Sequence, residues 1–354
     1  MTPALRIDRL SVSFPSPDGG RRHAVSRVSL SVYPRQTLAV VGESGSGKSV
    51  SALSVLRLLP RAARVEAGRI LLAARDPAAA PVDILRLPER DMLPIRGGDA
   101  AMIFQEPMSS LNPVFTVGEQ LIEAVRRHRP AGRREAASIA ADALAEAGIT
   151  DPAARLRQYP HEFSGGMRQR VMIAMALACR PRILLADEPT TALDVTVQAQ
   201  ILALLARARE DRAMAVVFIT PTLGVVASIA DTVCVMYAGH VVEYGRVFDV
   251  FEQPLHPYTR ALLAVCPRLD GPQERLRTVP EIIAHGGPQG MELPNGRHAW
   301  WPHTKADPRS RPAALIQVEP TRWVAADAQP GEDAPPPDIP WRRGDPARIL
   351  GKFG

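Results

Sequence analysis

A phosphate-binding loop is the first chemistry that the sequence indicates, in the stretch LAVVGESGSGKS at residues 38–49. An apolar run ends at Gly42, and the following residues complete the pattern G-x-x-x-x-G-K-[ST]. Glycines allow backbone N–H groups to converge on one point, and a helix that starts near Lys48 adds the positive end of its dipole. We expect Lys48 to reach the β and γ phosphates of a nucleotide and the Ser49 hydroxyl to bind Mg²⁺. The residues predicted to surround the phosphates are Gly42, Glu43, Ser44, Gly45, Ser46, Gly47, Lys48, Ser49 and Val50.

The alternative for this stretch is an ordinary glycine-rich turn between a strand and a helix. Lysine usage argues against that alternative. The chain has 43 lysines and arginines, yet only Lys48, Lys305 and Lys352 are lysine. Lysine carries a compact point charge on a slim stem, which suits a phosphate loop. The isolated Lys48 therefore favours nucleotide binding.

A pair of acids ends a second apolar run, ILLADE at residues 183–188. At the end of a buried strand, Asp187 can hold the water shell of Mg²⁺. Glu188 follows immediately, and because side chains alternate along a strand it can face an attacking water as a general base. Acids at strand ends are common, but their order after a phosphate loop favours a nucleotide-hydrolysing site.

Composition limits the class of protein. The chain has 354 residues, of which 46% are hydrophobic, so it can bury a substantial core in one or two domains. The net charge of +6 permits contact with nucleic acid or an anionic membrane, but the arginines are scattered among acids. The N-terminus lacks the apolar region of a secretory signal, and Pro221 and Gly224 divide the longest uncharged stretch, residues 213–230. We therefore expect a soluble intracellular chain that reaches a membrane by docking onto another protein.

Strands alternate with helices along the chain, which predicts an α/β core with a mostly parallel sheet covered on both faces. A helical pattern spans residues 195–209, and residues 106–163 are rich in alanine and arginine with helical periodicity, which predicts a helical insertion. Proline and glycine become frequent beyond residue 266, so we expect a partly irregular extension with residues 329–340 unstructured. Apolar strand patterns lie at residues 183–186, 215–220 and 233–237.

The segment FSGGMRQR at residues 163–170 resembles the signature motif of ABC transporter ATPases. The resemblance implies that Ser164, Gly165, Gly166 and Met167 bind the γ-phosphate held by the opposite subunit. The physical reason is that small residues open a helix N-terminus toward an anion.

Other marks of that family follow in the family's order. Gln105 occupies the position of the glutamine that binds the metal and links it to the helical insertion. Asp194, in the segment TALD, occupies the position of the D-loop that crosses the dimer interface, and the resemblance implies that it contacts nucleotide. Phe14 is the first candidate for the aromatic ring that stacks on adenine, and His23 is the second.

Longer segments narrow the resemblance to the ATPase subunits of oligopeptide, dipeptide and nickel importers, and the match runs over about residues 4–270. It implies a P-loop NTPase core of the ABC ATPase type, with a mostly parallel sheet, an antiparallel β subdomain, an inserted helical subdomain and a C-terminal extension. The implied boundaries are 1–265 for the nucleotide-binding domain, about 106–163 for the helical subdomain and 266–354 for the extension. The matching segments are IFQEPMSSLNP at 103–113, YPHEFSGGMRQRVMIAMAL at 159–177, ADEPTTALDVTVQAQI at 186–201 and HPYTRALL at 256–263.

The resemblance implies a subunit that hydrolyses ATP with Mg²⁺ to power the import of peptides or a related solute. The expected partners are a second ATPase subunit, identical or paralogous, two transmembrane permeases and, indirectly, an extracytoplasmic solute-binding protein, but no nucleic acid. Such a subunit lies peripherally on the cytoplasmic face of the inner membrane. In this branch a groove beside Gln105 receives the permease's coupling helix, so Met108, Leu111 and Pro113 are either docking residues or core residues.

One departure from the family concerns a switch histidine. The family pattern after the strand at 215–220 is I-T-H-D-L-G-V-V-A, whereas residues 219–227 read ITPTLGVVA, with Pro221 at the histidine position and Thr222 at the aspartate position. Proline has no side-chain donor for the γ-phosphate, and His240 lies too far along the chain to replace it. Two hypotheses remain: a weakened site in an asymmetric heterodimer, or a regulatory subunit with little turnover of its own.

A second departure concerns metal ligands. Many relatives carry a cysteine cluster for an iron–sulfur centre in the C-terminal extension, but residues 286–308 contain no cysteine, so no cluster is expected. His285, His298 and His303 are loosely spaced without acids or thiols, which favours surface positions.

The rival class is an ABC ATPase that acts on DNA or ribosomes. DNA-repair members place a long coiled coil between phosphate loop and signature, and translation factors fuse two cassettes. The sequence shows neither feature.

Overall fold

The computed structural model describes residues 1–76, 78–106, 110–191, 193–265, 279, 292–300, 313–328 and 339–340. Two compact units form, Met1–Leu85 with Thr220–Gly354 and Arg86–Ile219. The strands are β1 (Leu5–Pro15), β2 (Arg21–Val32), β3 (Thr37–Val41), β4 (Arg64–Leu72), β5 (Val82–Asp83), β6 (Ala100–Ile103), β7 (Ile183–Asp187), β8 (Ala215–Ile219), β9 (Thr232–Tyr237), β10 (His240–Arg246), β11 (Ala313–Glu319) and β12 (Arg322–Asp327). The α-helices are α1 (Lys48–Val55), α2 (Glu89–Met92), α3 (Val117–His128), α4 (Arg133–Glu146), α5 (Pro152–Arg155), α6 (Gly165–Ala178), α7 (Val195–Asp211), α8 (Leu223–Ile229), α9 (Val247–Glu252) and α10 (Pro257–Ala264).

The first unit contains an antiparallel sheet with the strand order β2–β1–β4–β5. It also contains a mixed array in the order β11–β12–β10–β9–β3. Within this array β3 and β9 run parallel, whereas β9 with β10, β10 with β12 and β11 with β12 are antiparallel. Every residue of β3 is buried, in agreement with the continuous apolar run that a strand covered on both faces requires.

The second unit contains the parallel strands β8–β7–β6 and the helices from α2 to α7. Side chains cap three of these helices. Thr116 and Glu119 form a reciprocal capping box at the start of α3. Ser164 caps α6 and Asp194 caps α7, each by accepting a hydrogen bond from a backbone N–H three residues on.

These elements confirm the predicted fold class, with a parallel sheet core, a separate antiparallel sheet and several helices between residues 117 and 155. The domain boundaries stay predictions. In the described part of the chain, no helix combines the length and the apolar character needed to cross a bilayer.

A C-terminal hairpin extends the mixed array of the first unit, and the proline and glycine content of this region did not predict it. β11 and β12 pair antiparallel, and β12 in turn pairs antiparallel with β10. Trp300 and Trp323 are buried, and the backbone N–H of Trp300 donates a hydrogen bond to the Ala325 carbonyl. Of residues 329–340, where we predicted an unstructured segment, 329–338 lie outside the described residues. Ile339 is buried, and its carbonyl accepts a hydrogen bond from the Gln36 side-chain amide at 2.9 Å.

A buried ion pair joins this hairpin to β10. Arg322 lies 2.6 Å from the Glu243 carboxylate, and both side chains are almost wholly excluded from solvent. The same carboxylate accepts hydrogen bonds from the backbone N–H groups of Leu255 and His256, each at 3.0 Å. The remaining Arg322 contacts include the Gln253 carbonyl. Glu243 therefore ties the hairpin to the turn before α10.

Replacing Arg322 by methionine leaves the Glu243 carboxylate buried without its cation. We expect R322M to lower the free energy of unfolding by about 3–5 kcal/mol, measured by urea denaturation of the full chain. The double variant E243Q/R322M should recover part of the loss, because the uncompensated charge is then absent.

The matched control is E319Q. Glu319 is 3.9 Å from Arg322 and 42% exposed, so its removal should change the free energy of unfolding by less than about 1 kcal/mol. If R322M and E319Q destabilise the chain equally, the buried pair does not hold the hairpin.

Candidate nucleotide site

The predicted phosphate loop lies between β3 and α1 in the first unit. Gly42, Gly45 and Gly47 have φ values of 147°, 77° and 102°, a range that residues with a side chain rarely adopt. Packing reinforces the requirement for glycine. A Cβ atom on Gly42 would lie 2.1 Å from the Met236 carbonyl oxygen, and one on Gly47 would lie 2.6 Å from the Ala24 carbonyl oxygen. The loop therefore fits tightly between β9 and β2.

Lys48 is buried at the base of this loop. Its ammonium donates to the carbonyl oxygens of Gly42 at 2.8 Å and Glu43 at 2.7 Å, and to the Ser46 hydroxyl at 3.4 Å. The loop therefore folds around the charge of the Lys48 ammonium.

The exposed part of the loop is residues 43–45, which we call its crest. Glu43, Ser44 and Gly45 are exposed, whereas Ser46 is buried and donates its backbone N–H to the Glu43 carbonyl at 3.2 Å. Ser49 and Val50, in the first turn of α1, are half-buried. An exposed crest over a buried cation, with glycines that a Cβ would displace, fits a polyphosphate group.

The second unit brings the predicted catalytic acids to the end of β7. Asp187 is buried as the last residue of the strand, and Glu188 follows with a φ of 49°. A left-handed backbone at a residue other than glycine costs about 1–3 kcal/mol. The Glu188 N–H donates to the Ile219 carbonyl at 2.9 Å, which holds this conformation.

Gln105 and Glu188 meet directly, as two of the predicted site residues. The Gln105 side-chain amide donates to Glu188 Oε2 at 3.2 Å. The same oxygen accepts a hydrogen bond from the Thr191 hydroxyl at 3.0 Å. Sequence reasoning missed Thr191, although a hydroxyl three residues after the acid in the segment TALD was an available signal. Together the two donors fix the orientation of the Glu188 carboxylate.

The predicted signature residues begin α6. Ser164 accepts a hydrogen bond from the Met167 N–H at 3.4 Å, and Gly165 is exposed with open space at its Cβ position. A Cβ on Gly166 would contact Val197 of α7 at 3.3 Å. The helix N-terminus is therefore accessible to an anion at Gly165.

Gln169 links this helix to the segment after Glu188, and sequence reasoning missed it. Its buried side-chain amide donates to the carbonyl of Pro189, the residue after Glu188. Asp194, predicted to contact nucleotide, accepts the Val197 N–H at 2.9 Å as the N-cap of α7.

The adenine-stacking residue stays a prediction. Phe14 is half-buried on β1 and pairs with Arg22 of β2. His23 is exposed and pairs with Ser13, next to the Ala24 carbonyl that approaches Gly47.

Comparisons with known proteins show the family to which this chain belongs. Residues 25–191 match the family model described as ABC transporter, and residues 242–290 match the model described as oligopeptide/dipeptide transporter, C-terminal region. The dipeptide transport ATP-binding protein DppD of Bacillus subtilis is 51% identical over 271 residues, which cover 76% of this chain and 78% of the relative. This chain belongs to the ATP-binding subunits of the oligopeptide/dipeptide ABC transporter family.

Two further comparisons support this ABC ATPase assignment at different levels. The glutathione import ATP-binding protein GsiA of Shigella dysenteriae is 52% identical over 269 residues, which cover 75% of this chain and 42% of that relative. The solved dimeric structure of the ATP-binding cassette MJ0796, with bound ADP and phosphate, is 24% identical with a TM-score of 0.60, over 69% of this chain and 98% of the cassette. The second likeness shows the fold.

Pro221, one of the two departures from the family pattern, lies in the first unit just before α8. It is exposed, and the neighbouring Thr220 hydroxyl accepts the Thr222 N–H at 3.1 Å. His240, which was considered as a replacement for the switch histidine, packs against Trp300 with 4.5 Å between ring centroids and an interplanar angle of 49°. Burial lowers the pKa of His240 to about 4, so this half-buried imidazole is neutral.

The predicted docking residues divide between core and surface. Leu111 is buried, which supports core packing, Pro113 is exposed, and Met108 lies outside the described residues. Large apolar side chains that sequence reasoning missed are exposed beside them, with Val114 at 73% and Phe115 at 50%.

Proposed function

We propose that this chain binds and hydrolyses ATP to power the import of peptides through a membrane ABC transporter. The observation that carries the proposal is the phosphate loop, in which Lys48 is buried beneath an exposed crest of residues 43–45. The dipeptide and glutathione relatives, at 51% and 52% identity, are about equally similar to this chain. Similarity therefore does not distinguish between these solutes, and we assign solute selection to the transporter's other subunits.

The proposed chemistry uses the residues around Glu188. Its carboxylate takes a proton from a water whose oxygen attacks the γ-phosphorus, the bond to the β–γ bridging oxygen breaks, and ADP and phosphate form. Gln105 and Thr191 hold the carboxylate for this step through their hydrogen bonds to Oε2. Mg²⁺, for which Ser49, Asp187 and Gln105 are the expected ligands, would neutralise charge on the phosphates.

The proposed assembly pairs this chain with a second ATPase subunit, so that the signature at residues 164–167 completes the partner's site. Two permeases would dock on the helical region, where Val114 and Phe115 are exposed, and an extracytoplasmic protein would deliver the solute. We therefore place the chain on the cytoplasmic face of the membrane. Closure of the dimer would move the permeases, and hydrolysis would reopen it.

Replacing Glu188 by glutamine removes the proposed base but keeps both hydrogen-bonding positions. We expect E188Q to bind ATP as tightly as the wild type. Turnover at this chain's own site should fall by about 10²–10⁴-fold, with peptide uptake lost, in transporter reconstituted in liposomes.

The control is E135Q, which replaces an exposed glutamate of α4 and should change neither turnover nor uptake. If the other site belongs to a paralogue, its share of turnover persists in E188Q. Turnover and uptake that are unchanged in E188Q contradict the assignment of Glu188.

Pro221 is expected to slow hydrolysis at this chain's own site, because it has no side-chain donor for the γ-phosphate. We predict that P221H raises the steady-state ATP turnover of the assembled transporter by several-fold, while P221A, which also lacks a donor, does not. Equal and substantial turnover of the wild type and P221H would show that Pro221 does not limit the reaction. No turnover at this site in either protein, with tight ATP binding, would identify a regulatory subunit, which no finding so far favours.

A further inference from the structure

Tyr258 contacts the phosphate loop from outside the motifs that the function uses. It lies in the HPYT segment at the start of α10 and is fully buried. Its hydroxyl oxygen accepts a hydrogen bond from the Glu43 backbone N–H at 2.9 Å. Residues 43 and 258 belong to the same compact unit, so this contact is internal to it.

The contact acts on the peptide group that also binds Lys48. The carbonyl of the Gly42–Glu43 peptide accepts from the Lys48 ammonium at 2.8 Å, and the N–H of the same peptide donates to Tyr258. Because a peptide group is planar, rotating its N–H away from Tyr258 also turns its carbonyl away from Lys48. Gly42 has more backbone freedom than a residue with a side chain, so the hydroxyl adds a restraint on this peptide.

Tyr258 is itself held firmly. Its ring packs against Tyr237 with 4.3 Å between ring centroids, and its backbone N–H donates to His256 Nδ1 at 3.1 Å. His256 Nε2 lies 2.8 Å from the Trp300 carbonyl oxygen, so Nε2 carries the proton and Nδ1 accepts. Burial lowers the pKa of His256 to about 4, which keeps the imidazole neutral and Nδ1 able to accept.

The hydroxyl is suited to remain an acceptor in its neutral form. Burial is the main cause that raises the pKa of Tyr258 far above its ordinary value, and the Glu43 and Tyr237 side chains raise it further. The phenol therefore stays protonated at any physiological pH, and its oxygen offers a stable partner to the Glu43 N–H.

We propose that Tyr258 is a positioning residue for nucleotide binding, whose hydroxyl holds the Gly42–Glu43 peptide so that Lys48 is placed for the phosphates. The proposal rests on ATP binding at this loop. On this proposal the start of α10 contributes to the affinity for nucleotide, through one hydrogen bond between the Tyr258 side chain and the loop backbone.

The test compares Y258F with the wild type as full-length chains. Phenylalanine keeps the ring against Tyr237 and removes only the hydroxyl. The first measurement is hydrogen–deuterium exchange of the Glu43 amide without nucleotide, which we expect to accelerate severalfold in Y258F. The second is equilibrium binding of ATP, where loss of one hydrogen bond should raise Kd by about fivefold. In the assembled transporter the KM for ATP should rise while kcat changes little.

The matched control is Y244F, because Tyr244 lies in the same unit and is as deeply buried as Tyr258. The Tyr244 hydroxyl donates to the Ser31 carbonyl at 2.8 Å, so Y244F loses a comparable bond away from the loop. It should lower thermal stability about as much as Y258F without changing Glu43 exchange or ATP affinity. A purely structural role of Tyr258 would make the two variants behave alike.

Two outcomes overturn the proposal in distinguishable ways. If the wild type binds ATP and Y258F matches it in Glu43 exchange and affinity, Tyr258 does not position the loop and the proposed function stands. If the wild type binds no ATP, the proposed function fails and the role of Tyr258 fails with it, even where Glu43 exchange accelerates in Y258F.

Discussion

The close approach of two strands to a glycine loop is the constraint on which the candidate site depends. The Met236 carbonyl of β9 and the Ala24 carbonyl of β2 lie where Cβ atoms on Gly42 and Gly47 would be. Because the backbone is held this tightly, its carbonyls surround the Lys48 ammonium. The hydroxyl of Tyr258, from the start of α10, accepts a hydrogen bond from the same stretch of backbone. Contacts with the surrounding strands and with α10 therefore shape the loop.

Much of the fold and part of the site could be predicted because local patterns carry them. The apolar run of β3, the glycines after it and Lys48 specify a strand, a loop and a helix within a dozen residues. The acids at the end of β7 follow an apolar run in the same way. Even the contact between Gln105 and Glu188 agrees with the family pattern that placed both residues at the site.

The contacts that sequence reasoning missed either join residues that are distant in sequence or belong to no known motif. Arg322 neutralises Glu243 across 79 positions, and Tyr258 reaches Glu43 across 215, so neither pair has a local signature. The hairpin β11–β12 lies in a region whose proline and glycine content suggested irregular structure, yet its pairing with β10 stabilises it. Leu111 is buried and Val114 is exposed because of how the turn before α3 packs, which one sequence does not reveal.

The most direct test of this account is equilibrium ATP binding to the full chain, comparing the wild type with G47A. A Cβ at Gly47 meets the Ala24 carbonyl and forces a residue other than glycine to a φ of 102°, so we predict that affinity falls by more than about tenfold. The control G224A changes a glycine of α8 with open space at its Cβ, and affinity should be unchanged. ATP binding by G47A that equals the wild type would contradict the central claim that this loop is the nucleotide site.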